Sequence, residues 1–184
     1  VGAGGAGFPT HVKLRCSAEV VIANGAECEP LLNVDQYTMR DDAAEIVAGL
    51  FAAMQATGAK RGVICTKEHY HDAVASLQKA VQGKDGISLK LMKSTYPAGD
   101  EQVMVYEVTG KVVPTGGLPI DAGAVVLNVT TLRNIYRATQ GTPVTSRSVT
   151  VTGEVASPVT LDVPIGTSYQ TLIDRAGGPK QSDD

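Results

Sequence analysis

Glu19-Val20-Val21-Ile22-Ala23, closed by Asn24-Gly25, sets the fold class of this 184-residue chain. Four consecutive apolar residues without polar alternation form a strand buried on both faces. A strand of that kind lies in the middle of a parallel sheet. The Asn-Gly pair marks where the strand stops and a turn begins.

On the C-terminal side, strands and helices alternate. Asn24 to Asp35 reads as irregular and polar. Asp42 to Gly58 repeats apolar residues (Ala43, Ile46, Val47, Leu50, Met54) at helical spacing, with Asp41 or Asp42 as cap and Gly58 as stop. Arg61 to Thr66 is a second buried strand and His71 to Val81 a second helix, with His69 and His71 exposed at its start. Ile87 to Leu91 is a third strand and Tyr96 to Gly99 a loop. Asp100 to Thr109 is a helix with Asp100 as N-cap, followed by a rigid turn from Pro114 to Pro119. Gly123 to Asn128 is a further buried strand, and Val129 to Thr139 a helix ending near Gly141. Ahead of the first strand, Thr10 to Leu14 is a helical turn. This order predicts α/β architecture, a Rossmann-like open sheet flanked by helices.

Composition changes after Gly141 to Pro143. Ser148 to Val155 alternates as a half-exposed strand, Val159 to Val163 is a second strand, and Thr171 to Ala176 is a short helix. Two strands and a helix in so short a span predict a small α+β module of β-grasp character. The expected division is 1–143 and 144–184. The chain opens inside a glycine loop and ends on Gly177-Gly178-Pro179-Lys180 and polar residues, so it is expected to be a piece of a longer protein.

The totals exclude several classes of function. Net charge is −3, with no basic block interleaved with aromatics, so nucleic acid is not expected as a partner. No apolar run approaches the ~20 residues of a membrane span. The three cysteines, Cys16, Cys28 and Cys65, form no C-x-x-C pair and no even disulfide set. A reducing, cytoplasmic setting is expected, with no metal or iron–sulfur site made by this chain alone. Cys28 stands between two acids, the opposite of the electropositive setting of a nucleophilic thiolate.

Chemistry is expected where strands end, because ligands of open α/β sheets lie outside the carboxyl ends of the strands. Val1-Gly2-Ala3-Gly4-Gly5-Ala6-Gly7-Phe8-Pro9-Thr10 places four glycines within six residues, sealed by Phe-Pro. Backbone of this kind can approach a phosphate or a flat ring closely and turn N–H groups toward it. Lys13 is the nearest cation; it pairs a phosphate or is a solvated surface lysine. Asn24-Gly25-Ala26-Glu27-Cys28-Glu29-Pro30 offers an amide that both donates and accepts, and two alternating acids. It reads equally as a capped surface turn. Tyr96-Pro97-Ala98-Gly99-Asp100-Glu101-Gln102 has a structural account too, since acids suit a helix start. Asn128-Val129-Thr130-Thr131 could hold a phosphate or ribityl oxygen on free N–H groups, or simply cap a helix.

The paired motifs Gly2-x-Gly4-Gly5-x-Gly7-Phe8-Pro9-Thr10-x-x-Lys13 and Asn24-Gly25-Ala26-Glu27-Cys28-Glu29-Pro30 resemble the flavin-bearing, NADH-oxidising subunit of respiratory complex I. They resemble more closely its relatives, the RnfC-type component of Rnf electron transport complexes and the cobalamin reductase of propanediol-utilisation microcompartments. Tyr96-Pro97-x-Gly99, Thr109-Gly110-Lys111-x-Val113-Pro114-x-Gly116-Gly117 and Val125-Val126-x-Asn128-Val129 look like the same group. Gly-Ala-Gly-Gly and Gly117-Leu118-Pro119 lean toward the microcompartment reductase. The tail, from Val149 through Gly153-Glu154-Val155 to Ala176-Gly177-Gly178, is similar to the soluble-ligand-binding β-grasp (SLBB) module that follows the flavin domain.

The resemblance implies non-covalent FMN as cofactor and NADH as substrate, with 4Fe-4S clusters only in a C-terminal region absent from this chain. By motif match, Gly2, Gly4, Gly5 and Lys13 contact flavin and phosphate, and Asn24 meets the isoalloxazine edge. Gly99 and Glu101 lie by the ring, and Asn128, Thr130 and Thr131 take the phosphate end. Glu27 borders the flavin and, with Glu29, lines the NADH side, while Phe8 lies against the adenine. No catalytic acid or base is implied, because the redox chemistry is the cofactor's. The implied electron acceptor is a cobalamin enzyme or another electron-transport protein. The implied location is a bacterial microcompartment or the cytoplasmic face of a membrane complex.

Three departures stand out. The flavin-bearing proteins of complex I carry Arg at Ala3, Asp at Ala26 and an aromatic near Cys16. Losing an aromatic removes part of an adenine clamp, worth about 0.5–1.5 kcal/mol of stacking. The competing class is a non-catalytic binding or scaffold module that keeps the nucleotide fold without the flavin. An ordinary Rossmann dehydrogenase fits poorly, because no acid ends the first strand as a ribose partner.

Overall fold

The computed structural model describes residues 2–4 and 7–180. The chain forms two compact units, Val1–Cys28 with Asp35–Thr142, and Glu29–Val34 with Pro143–Asp184. Nothing in composition separates Glu29–Val34 from the strand-end loop that precedes it.

In the first unit, strands β1 (Val20–Gly25), β2 (Arg61–Lys67), β3 (Ile87–Met92) and β4 (Ala124–Asn128) form one parallel sheet in the order β3-β2-β1-β4. Helices α1 (Thr10–Lys13), α2 (Val34–Asp41), α3 (Ala43–Thr57), α4 (His71–Val81), α5 (Glu101–Thr109) and α6 (Val129–Thr139) surround it. Val21, Ile22 and Ala23 are wholly buried, as an uninterrupted apolar run in a central strand requires. One face packs Val21, Ile64 and Leu127 under Ile46, Leu50, Leu77 and Leu132 of α3, α4 and α6. The other packs Ile22, Val63 and Val126 under Met104 and Val105 of α5. At Gly49, an added Cβ would fall 1.9 Å from the Leu132 carbonyl oxygen, so the backbones of α3 and α6 touch there.

Two local expectations need correction. Residues 34–41 form α2, where the sequence reads as irregular up to Asp35 and assigns no element before Asp42. Two of its three buried residues, Asp35 and Thr38, are polar, so no apolar stripe reveals the helix. Asp42 stands at the N-cap of α3 but makes no capping hydrogen bond. Its carboxylate instead accepts from Arg133 Nη1 at 3.0 Å and pairs with Arg137 Nη2 at 3.4 Å. Gly58 ends α3 in the left-handed region at φ 70°, and Asp100 caps α5 by accepting from the N–H groups of Gln102 and Val103.

The second unit holds an antiparallel pair, β5 (Ser146–Val151) and β6 (Val159–Pro164), and helix α7 (Tyr169–Arg175). Thr150 and Thr160 face each other across the pair with hydroxyl oxygens 3.0 Å apart. Ser168 caps α7, which buries Leu172, and Val155 and Ala176 are buried outside the helix.

Candidate functional site

The strand order places a topological switch between β1 and β4. Successive strands step one way from β1 to β3, and the chain then crosses back to put β4 on the other side of β1. Crevices outside the strand ends at such a point are where open α/β sheets bind ligands. The tips there are Asn24 and Asn128, which are register partners.

The glycine loop lies over the tip of β4. The Ala3 N–H donates to Thr131 Oγ1 at 2.8 Å, and a Cβ on Gly4 would sit 3.6 Å from that of Asn128. The loop closes on itself through the Gly2 N–H, which donates to the Phe8 carbonyl at 2.9 Å. A Cβ on Gly2 would press that same oxygen at 2.8 Å, so glycine is required there. Phe8 is 48% exposed at the end of the loop. Gly5 lies outside the described residues.

Lys13 reaches from α1 to the outer edge of β4. Its Nζ donates to Glu101 Oε1 at 2.6 Å and to the Val126 carbonyl at 2.9 Å, which spends two of its three donors. The structure thus brings two expected ligand residues, Lys13 and Glu101, onto each other.

Asn24 donates from Nδ2 to the Gly99 carbonyl at 2.8 Å and accepts the Ala26 N–H on Oδ1 at 3.1 Å. The Gly99 N–H in turn donates to Cys28 Sγ at 2.9 Å. A Cβ on Gly99 would lie 2.2 Å from the Ala26 carbonyl oxygen. The peptide groups of Gly99 are therefore clamped between the side chains of Asn24 and Cys28. Glu27 is half-buried, with its carbonyl accepting from Lys67 Nζ at 2.5 Å. Glu29 is exposed and belongs to the second unit.

Asn128 caps α6. Its Oδ1 accepts the N–H groups of Thr130 at 2.9 Å and Thr131 at 3.3 Å, so these two donors are engaged rather than free. Its Nδ2 donates to Asp35 Oδ2 at 2.7 Å. Thr130 Oγ1 donates to Asp35 Oδ1 at 3.2 Å and lies 3.4 Å from Thr38 Oγ1. Asp35, Thr38, Thr130 and Thr131 are all buried. Sequence reasoning passes over Asp35, because α2 itself carries no apolar signature.

Of the three departures, Cys16 packs against the α3 face of the core and donates to the Lys13 carbonyl at 3.2 Å. Ala26 is 1% exposed beneath α5, where aspartate would be a buried charge. Cys65 lies wholly buried in β2, and burial pushes its thiol up to about 12. Among the described residues, no group of three or more His, Cys, Asp or Glu could hold a metal ion. Among them, too, no helix is long and apolar enough to cross a membrane.

Residues 1–137 match the family model of the Nuo51 FMN-binding domain. The chain belongs to that family. Residues 148–184 match the SLBB domain. This Nuo51-type chain is 48% identical to the cobalamin reductase PduS of Salmonella typhimurium, over 100% of its own length and 40% of the relative's. It is 39% identical to the RnfC-type component of the Na(+)-translocating ferredoxin:NAD(+) oxidoreductase complex of Acetobacterium woodii, over 97% of itself and 42% of that relative. It therefore spans about two fifths of the relatives it matches. A chain of an air-oxidised NAD+-reducing [NiFe]-hydrogenase shares the fold, with TM-score 0.77 and 23% identity, over 97% of this chain and 37% of that one. The PduS and RnfC-type relatives both carry oxidoreductase names, one a cobalamin reductase and the other part of a ferredoxin:NAD(+) oxidoreductase complex.

Proposed function

We propose that the protein binds FMN at the β1/β4 switch and uses it to oxidise NADH. The electrons would then be passed on to iron–sulfur centres outside this chain and to a corrinoid or another electron-transport protein. Residues 1–143 would form the FMN and NADH domain and 144–184 the SLBB module. The setting would be cytoplasmic, in a microcompartment or against a membrane complex. The observation that carries this reading is the glycine loop standing on Asn128 at the strand-order switch.

The residues fit such a group. Gly2 and Gly4 offer backbone without side chains, and a Cβ at Gly4 would reach into the space beside Asn128. FMN, when bound, supplies the exchange between a two-electron donor and one-electron acceptors. The chain's own part is to bind, orient and exclude water. Lys13 would hold the phosphate as a point charge, in competition with the carboxylate of Glu101. Asn24 would meet the ring edge with the Nδ2 hydrogen not spent on Gly99. Asn128, Thr130 and Thr131 would frame the phosphate end, and Gly99 and Glu101 the ring. Glu27 and Glu29 would line the nicotinamide-nucleotide side. Phe8 and the 85% exposed Tyr96 would shield the stacked rings from water. The name of the Acetobacterium woodii relative, which includes NAD(+), supports the choice of dinucleotide.

Quenching of FMN fluorescence on the full-length protein tests the proposal. Saturable binding is expected, weakened at least tenfold by Lys13→Ala and by Asn128→Ala, together with NADH-dependent reduction of ferricyanide. No saturable binding would overturn the flavin site. Binding without NADH oxidation would overturn the choice of donor.

A further inference from the structure

We propose that Asp35 is the positioning residue of this site. Its buried carboxylate dictates which way the Asn128 amide faces, and through Asn128 it sets the floor on which the glycine loop stands. The importance of that floor for catalysis rests on the flavin reading; the positioning itself does not.

The argument begins with the inventory of donors and acceptors. An amide has two unlike ends, whereas an ionised carboxylate only accepts. Asp35 takes the Nδ2 end of Asn128 at 2.7 Å, so the Oδ1 end must face α6, where it collects the N–H groups of Thr130 and Thr131. Turning the amide over would set acceptor against acceptor at Asp35 and donor against donor at the helix start.

Capping alone does not call for this arrangement. Asp and Asn cap helices about equally well, and an N-cap needs no buried acid behind it. Nor does packing call for it, since a carboxylate at 8% exposure must be compensated where an apolar side chain need not be. Asn128 and Thr130 supply part of that compensation. Asn128 lies under Gly4, and the neighbouring Thr131 holds the Ala3 N–H. Asp35 thereby makes asparagine, and not aspartate, the fitting residue at the tip of β4. That choice keeps a second negative charge away from the crevice proposed for a phosphate.

Exchanging the acid and the amide tests this. In the ligand-free full-length protein, amide hydrogen exchange is followed in the peptides carrying Ala3 and Gly4 and carrying residues 129–132. Strand β3, at the opposite edge of the sheet from β4, serves as a remote control. Asp35→Asn retains an acceptor for Asn128 and should stay within threefold of the parent. Asn128→Asp keeps a good cap but sets two carboxylates face to face, and should speed exchange at least tenfold in both peptides with β3 unchanged. The double variant, with Asn at 35 and Asp at 128, should return both peptides to within threefold. Parent-like exchange in Asn128→Asp, or a defect that the double variant fails to repair, would overturn the assignment. An FMN titration of the parent separates the two proposals. If the parent fails to bind while the exchange pattern holds, the flavin reading falls and the role of Asp35 stands.

Discussion

Asn24 and Asn128 end neighbouring strands, pair in register, and begin with the same local act. Each accepts, on Oδ1, the backbone N–H two residues ahead. They differ in what Nδ2 meets. Asn24 donates to a neutral carbonyl on a loop, while Asn128 donates to a buried carboxylate on a helix. One tip is therefore a tie between two loops, and the other is tied to a single buried carboxylate on α2. Hydrogen bonds to ionised partners are roughly twice as strong as neutral ones, and a charge stripped of its partner is costlier than a dipole. Two residues of one type, side by side, thus carry different loads.

The most disruptive change expected around these tips is Gly99→Ala. Its Cβ would overlap the Ala26 carbonyl at 2.2 Å, and both atoms belong to backbone that Asn24 and Cys28 hold in place. A loss of about 3 kcal/mol in urea denaturation is expected, at the upper end for overpacking. A loss below about 1 kcal/mol would show that the Asn24 tip yields easily. Next come the asparagines themselves. Asn128→Ala removes a cap and a partner of a buried carboxylate, and should cost about 2–3 kcal/mol. Asn24→Ala removes neutral bonds at a half-buried site and should cost about 1 kcal/mol. Equal losses would break the comparison.

The smallest effect is a sharpening one, one strand over. Cys65 pairs in register with Asn24 but lies wholly buried. Its folded thiol keeps its proton from the ordinary value of 9.0 up to about 12, while the unfolded chain loses it. The folded state binds more protons in that window, so stability should fall as pH rises above 9, by at most about 1.4 kcal/mol per pH unit. Replacing Cys65 with Ala should flatten that slope. At pH 8 the folded Cys65 should resist a disulfide-forming thiol reagent that labels it readily in urea.

The parallel sheet was legible because its strands are uninterrupted apolar runs, and the caps at Asp100 and Asn128 because capping chemistry is local. Helix α2 was not, since what it buries is mostly polar. The clamp on Gly99 was not either, because a close approach across 71 residues leaves no trace near the glycine. Lys13 and Glu101 were each singled out for a ligand. Their contact with each other depends on α1 lying beside α5, which neither motif encodes.

Lys13 also touches something other than its proposed ligand. β4 is the last strand of the sheet on its side, and the lysine ammonium covers the carbonyl of Val126 along that edge. That carbonyl is buried, and a buried backbone acceptor left without a donor costs about 1–3 kcal/mol. The same ammonium that would greet a phosphate therefore also satisfies the outermost strand of the sheet. Removing it would weaken ligand capture and loosen β4 together, so a thermal melt belongs beside every affinity measured on Lys13→Ala.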